Sequence, residues 1–127
     1  MTTEFLTAVP IIPARDIEAS TRWYRDKLGF DVFLAERDYG IVGSGEAWIH
    51  FSGPSEIAPE DSTTSLRVGV HGIDELYAVC DGHGIVQPNA RLDETPWGFK
   101  EFSVIDLDGN LVTFFEPPAG YEPTPQP

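Results

Sequence analysis

SGEAWIHF (Ser44–Phe51) and DGNLVTFF (Asp108–Phe115) share one design: a glycine turn, then an alternating run ending in phenylalanine. The likeness extends outward from both. Each follows a helix exit marked by glycine, DKLGF (Asp26–Phe30) in one case and DGHGI (Asp81–Ile85) in the other. Glycine takes the left-handed conformation at a helix end without steric cost. In the first helix Asp16 is placed as N-cap and Glu18 lies in the first turn, where the helix dipole favours acid. Ile17, Tyr24 and Leu28 share one face of it. The second helix has Ile73, Leu76, Tyr77 and Cys80 at helical spacing and stops at Gly82 or Gly84. TEFLTAVPII (Thr3–Ile12) and SLRVGVHG (Ser65–Gly72) read as the strands before the helices. Pro10 and Pro13 make the first an edge strand or an arm, because proline offers no ladder donor. FDVFLAE, YGIVG and EAWIHF follow the first helix; NARLDE, GFKEFSVID and NLVTFF follow the second. The order is strand-helix-strand-strand-strand, twice, with chance likeness of short segments as the competing explanation. The expected fold class is α+β: two βαβββ modules at about residues 5–52 and 64–117. Between them, GPSEIAPEDST (residues 53–63) has prolines, small polar residues and no periodicity, and so reads as a linker. Residues 118–127 read as a disordered-leaning tail.

Composition bounds the possibilities. A chain of 127 residues that is 41% hydrophobic suffices for one domain with a core. No apolar run reaches the roughly 20 residues of a membrane helix, so no membrane partner is expected. The start, MTTEFLTAVP, has no basic segment before an apolar one, which argues against a secretory signal. Cys80 is the single cysteine, so no internal disulfide forms, and a cytoplasmic location is expected. A net charge of −13 repels phosphate backbones and excludes nucleic acid as the expected partner. It would attract a cationic ligand, or serve solubility alone.

One helix per module covers one face of its sheet. The other face must curl around a partner or a ligand, or meet solvent. Strand alternation sorts the side chains. Leu66, Val68 and Val70 face the helix, leaving Ser65, Arg67, Gly69 and His71 on the opposite face. Ile49 and Phe51 pack inward, leaving Trp48 and His50 with Arg67's group. An arginine, a histidine and an indole on a concave face suit a binding cleft. Cys80 reads as core, and His83, between two glycines, as a helix C-terminal cation. No G-x-S-x-G, P-loop or dinucleotide fingerprint occurs.

AVPIIPARDIEASTRWYRDKLGF (Ala8–Phe30) resembles the opening of the vicinal oxygen chelate superfamily, which includes glyoxalase I, ring-cleaving dioxygenases and bleomycin-resistance proteins. VHGIDELYA (Val70–Ala78) and PWGFKEFSVIDLDGN (Pro96–Asn110) resemble its bleomycin-resistance branch. Leu107 stands where the branch usually has proline, and Arg67 and Gly69 lie on a strand where some members carry tryptophan. The resemblance implies two βαβββ modules curved around a cleft and a homodimer, often with the N-terminal arm exchanged. Metal-dependent members carry one ligand on each of four strands. Those positions fall here on Val9, His50, Ser65 and Thr113, of which only His50 could ligate strongly. Transition metals generally need about three good donors, so no metal site and no cofactor are expected. Glu116, three residues past Thr113, points to the other face and reads as a solvated charge.

Without metal, the cleft candidates are Phe33, Tyr39, Trp48, His50, Arg67, Trp97 and Phe99. Trp97 sits on a Pro-Trp-Gly turn where it could cap a cleft or pack the loop. Tyr39 lies in a hairpin, where it could meet ligand or a second subunit; Phe33 and Phe99 could be purely structural. Flat heteroaromatic groups stack on such rings. Bleomycin-type glycopeptides join a planar bithiazole to a positively charged tail. The expected function is therefore non-catalytic sequestration of such cationic antibiotics in clefts at a dimer interface. The alternatives are a binder of another small molecule and a metal-dependent lyase or dioxygenase of the superfamily.

Overall fold

The protein is described by a computed structural model, over residues 2–121. Asp16 ends an extended stretch, and its carboxylate accepts a hydrogen bond from the Ala19 N–H at 3.0 Å. That cap starts helix α1 (Ile17–Leu28), and Gly29, at φ +78°, ends it. Strands β2 (Asp31–Ala35), β3 (Tyr39–Ser44) and β4 (Ala47–Ser52) follow as a meander. Strand β1 (Ile11–Pro13) adds to the outer side of β4 in parallel, giving the order β1-β4-β3-β2. The second module repeats this order. Strand β5 (Ser65–Gly69) lies parallel to β8 (Leu111–Glu116), which pairs with β7 (Lys100–Ile105) and through it β6 (Asp93–Glu94). Helix α2 (Ile73–Gly82) covers this sheet as α1 covers the first. The α+β architecture of two mixed four-stranded sheets is the one the sequence predicts.

The helix-facing sides make one core. Ile12, Val42, Ile49 and Phe51 meet Ile17 and Tyr24, and Phe102, Val104, Val112 and Phe114 meet Ile73 and Cys80. The Tyr24 ring stands edge-on to Trp23, Phe30 and Phe51 at centroid distances of 5.2, 5.8 and 5.1 Å. Burial pushes the Cys80 thiol up to about 11, so it is an inert core group at neutral pH.

The modules are joined by the turn between β7 and β8. Asp106 accepts from the backbone N–H groups of Asp108 and Asn110, both at 2.9 Å, and from the Tyr24 hydroxyl at 2.7 Å. Asp108 accepts from the Arg15 N–H at 2.9 Å and from the Ser20 hydroxyl. The Asn110 amide donates to the Pro13 carbonyl at 3.1 Å and accepts from Ser62 at 3.0 Å. All three side chains are buried, and each reaches a partner, as buried polar groups must. Burial, partly offset by these hydrogen bonds, holds the Asp106 carboxyl above its ordinary value. Burial and then Asp106 raise the Tyr24 hydroxyl well above its own. Gly109, at φ +81°, sits where a Cβ would lie 2.0 Å from the Pro59 carbonyl oxygen. Leu107 projects from the turn, partly exposed.

Several expectations change. NARLDE forms a strand only at Asp93–Glu94, because Pro88 has no N–H and Ala90 N turns back to the Gln87 carbonyl. In the segment before β1, Pro10 accepts from the His50 N–H at 3.0 Å, and residues 2–10 form no strand among the described residues. Phe5 and Leu6 are 95% and 85% exposed. Pro118–Tyr121 make a turn, with Tyr121 N–H donating to the Pro118 carbonyl and its ring edge-on to Phe99. Residues 122–127 lie outside the described residues.

Candidate functional site

Alternation places Trp48 and His50 on the face of the first sheet away from α1, opposite Gly43 and Ile41 of β3. Gly43 is small for a reason: a Cβ there would lie 2.9 Å from the Trp48 ring. The indole thus lies across the strand, and Phe33 of β2 meets it at 4.7 Å between centroids. Tyr39 is half-buried rather than exposed, because its hydroxyl reaches His50 Nδ1 at 2.7 Å. Phe33 with Trp48 and Tyr39 with His50 therefore form two pairs, joined through Trp48 and His50 two residues apart on β4.

The second sheet repeats the device with different residues. A Cβ at Gly69 would lie 3.1 Å from the Phe115 ring, which covers it. The Arg67 guanidinium carbon stands 4.7 Å from the centre of that ring. Phe99 stacks with Phe115, 6.2 Å between centroids at 24° between planes. Arg67 is not a free cation: it donates to both carboxylate oxygens of Glu101, at 3.3 and 3.0 Å, and those bonds hold its guanidinium charged. Phe115 and Glu101 join this group and are absent from the sequence-based candidates. Phe115 had a signal, since it follows Thr113 by two and must share its face; Glu101 had none without the strand register.

Trp48 and Arg67 line one groove of about 540 Å³ between the sheets, with Ala8 and Pro10 of the arm at its rim. A second hollow, of about 390 Å³, lies over the other sheet against Glu101, Ser103 and Thr113, with Asp93 and Glu94 at its edge. Trp97 joins neither. Its loop is pinned by Thr95 N–H to the Phe99 carbonyl at 2.7 Å and Phe99 N–H to the Thr95 hydroxyl at 3.0 Å, leaving the indole 69% exposed.

The four positions matching metal-ligand sites do not supply a donor set. Val9 has no donor, Ser65 is exposed, and the Thr113 hydroxyl is engaged with Ser103 at 2.7 Å. His50 alone would not hold a transition metal tightly.

Glu116 is not a free charge. Its carboxylate accepts from the N–H groups of Gly72 and Ile73 at 3.1 and 2.9 Å, capping α2 where Gly72 has no side chain to do so. The Ile73 bond above all lowers its pKa. A lowered carboxyl contributes stability above its unfolded value and loses it as pH falls through the folded one. Glu116→Gln is expected to cost on the order of 1 kcal/mol at pH 7. The deficit should shrink as denaturation is repeated at progressively more acidic pH; a pH-independent deficit would contradict the capping role.

Residues 6–114 match the family described as the Glyoxalase/Bleomycin resistance protein/Dioxygenase superfamily. A bleomycin resistance protein of Geobacillus stearothermophilus is 34% identical over an alignment spanning 87% of this chain and 96% of that protein. A bleomycin resistance determinant encoded on transposon Tn5 superposes with a TM-score of 0.77 at 23% identity, covering 90% of this chain and 99% of that one. A bleomycin-binding protein of Streptomyces verticillus, complexed with copper(II)-bleomycin, gives 0.73 at 30% identity, covering 89% and 97%.

Proposed function

This chain belongs to the glyoxalase/bleomycin resistance protein/dioxygenase superfamily, and from that premise we propose that it binds bleomycin-type cationic glycopeptides and withholds them from their target without chemical change. The observation that carries the reading is the pairing of aromatic platforms on the concave faces, Trp48 with Phe33 and Phe115 with Phe99. The near-parallel Phe115–Phe99 rings and the face of the Trp48 indole, tilted 41° from Phe33, each offer a surface for a planar heteroaromatic group, adding about 0.5–1.5 kcal/mol per contact beyond burial. Arg67 extends the second platform: with its charge met by Glu101, its plane over Phe115 is itself a stacking surface. A net charge of −13 and the acids at the edge of the second hollow favour a cationic tail. The exposed Trp97 indole, on its pinned turn beside Phe99, offers a further ring for a ligand to contact.

The working unit is a homodimer in the cytoplasm, with the arm exchanged and the clefts completed at the interface. The bare Phe5 and Leu6 side chains support this, since such groups find burial on a second copy. Titration calorimetry with bleomycin is expected to give one ligand per cleft and two per dimer. No heat at micromolar concentration would mean that the clefts take a different small molecule.

A further inference from the structure

Tyr39 and His50 are diagonal neighbours on the concave face, because β3 and β4 pair Ile41 with His50 and Tyr39 with Ser52. Their rings meet at 88° with centroids 5.4 Å apart, and the phenol oxygen lies 2.7 Å from Nδ1. Toward a neutral imidazole a phenol is the better donor and the ring nitrogen the better acceptor. The Tyr39 proton therefore points at Nδ1, and the imidazole carries its own proton on Nε2. Nε2 has no hydrogen-bond partner among the described residues, and no buried side-chain polar atom among them is left unpaired, so it stays open to a ligand. The cross-strand neighbours of His50 on this face are Ile11 and Ile41, both apolar. His50 is thus the polar member of an apolar row, two residues along the strand from Trp48 and its Phe33 platform.

We infer that Tyr39 is a positioning residue that fixes His50 in the Nε2–H tautomer, and that His50 is a specificity-determining donor. It reads a hydrogen-bond acceptor, a carbonyl oxygen or ring nitrogen, on a planar ligand seated on the Trp48–Phe33 platform. The ligand role rests on the binding function proposed above; the positioning role does not. The same tautomer places a proton on the nitrogen that a metal would need, so it works against ligation there.

Two measurements separate the roles. Long-range proton–nitrogen spectra of histidine-labelled protein, with exposed His71 and His83 as references, are expected to show His50 as Nε2–H, and Tyr39→Phe to give a tautomer mixture. A mixture or an Nδ1–H form in the unmodified protein overturns the positioning role. Calorimetry with metal-free bleomycin is expected to show Tyr39→Phe and His50→Ala each weakening binding by roughly 3- to 10-fold, the loss of one neutral hydrogen bond. The double variant should lose no more than His50→Ala, and His50→Gln, which keeps an N–H donor, should retain most of the affinity. Unchanged affinity in both single variants overturns the donor role. A protein that binds no bleomycin removes that role together with the function beneath it, while the spectra still decide the tautomer.

Discussion

Gly109→Ala is expected to lower stability by about 3–5 kcal/mol, at the severe end for a point substitution. Two causes add. Gly109 holds φ +81°, a conformation that penalises any Cβ, and the new Cβ would meet the Pro59 carbonyl oxygen at 2.0 Å. Backbone cannot swing aside as a flexible side chain can. Relieving the overlap means moving the Asp106–Asn110 turn away from Pro59, and that turn holds Tyr24, Ser20, Arg15 and Pro13 of the first module. Gly45→Ala is the control. It has φ +57° and nothing within 4 Å, so it should cost roughly 1 kcal/mol from conformation alone. Urea unfolding measures both from their midpoints, provided the slopes match. Equal losses at the two positions would show that the turn does not bind the modules as described.

Trp97→Ala is expected to weaken bleomycin binding by about 1–3 kcal/mol, the range of an aromatic contact at a binding hot spot. It should leave stability within about 0.5 kcal/mol, because the indole is 69% exposed and its loop is pinned by Thr95 and Phe99 rather than by the ring. Trp48→Ala is the contrasting case: its ring lies against Phe33 and over Gly43, so both affinity and stability should fall. Calorimetry and denaturation on each variant distinguish the two. Unaltered affinity in Trp97→Ala would remove that indole from the site.

Part of the site was legible because strand alternation is local. Trp48 and His50 separated from Ile49 and Phe51, and Arg67 from Leu66 and Val68, on period two alone. The Tyr39–His50 pair was within reach too, since a tight turn at Gly45-Glu46 fixes the register that makes them neighbours. The repeat itself misleads by one residue. SGEAWIHF and DGNLVTFF align Phe51 with Phe115, yet Phe51 and Phe114 are the buried pair, and Phe115 turns to the other face, over Gly69. The turn before β8 is longer than the one before β4, and a one-residue offset exchanges the faces.

The charged groups were legible least. Glu116 looked solvated because the helix it caps begins 43 residues earlier in the chain. The partner of Arg67 was hidden because Glu101 lies 34 residues away and is brought near only by the strand order. The sequence by itself determined the two modules, the helix caps at Asp16 and Gly29, and which side chains turn toward each helix, since all of these depend on spacing within a few residues. Only the tertiary structure decided how the modules dock through Asp106, Asp108 and Asn110 and which charges are already answered. Those contacts join residues as many as 97 positions apart, and nothing short of the folded chain fixes such distances.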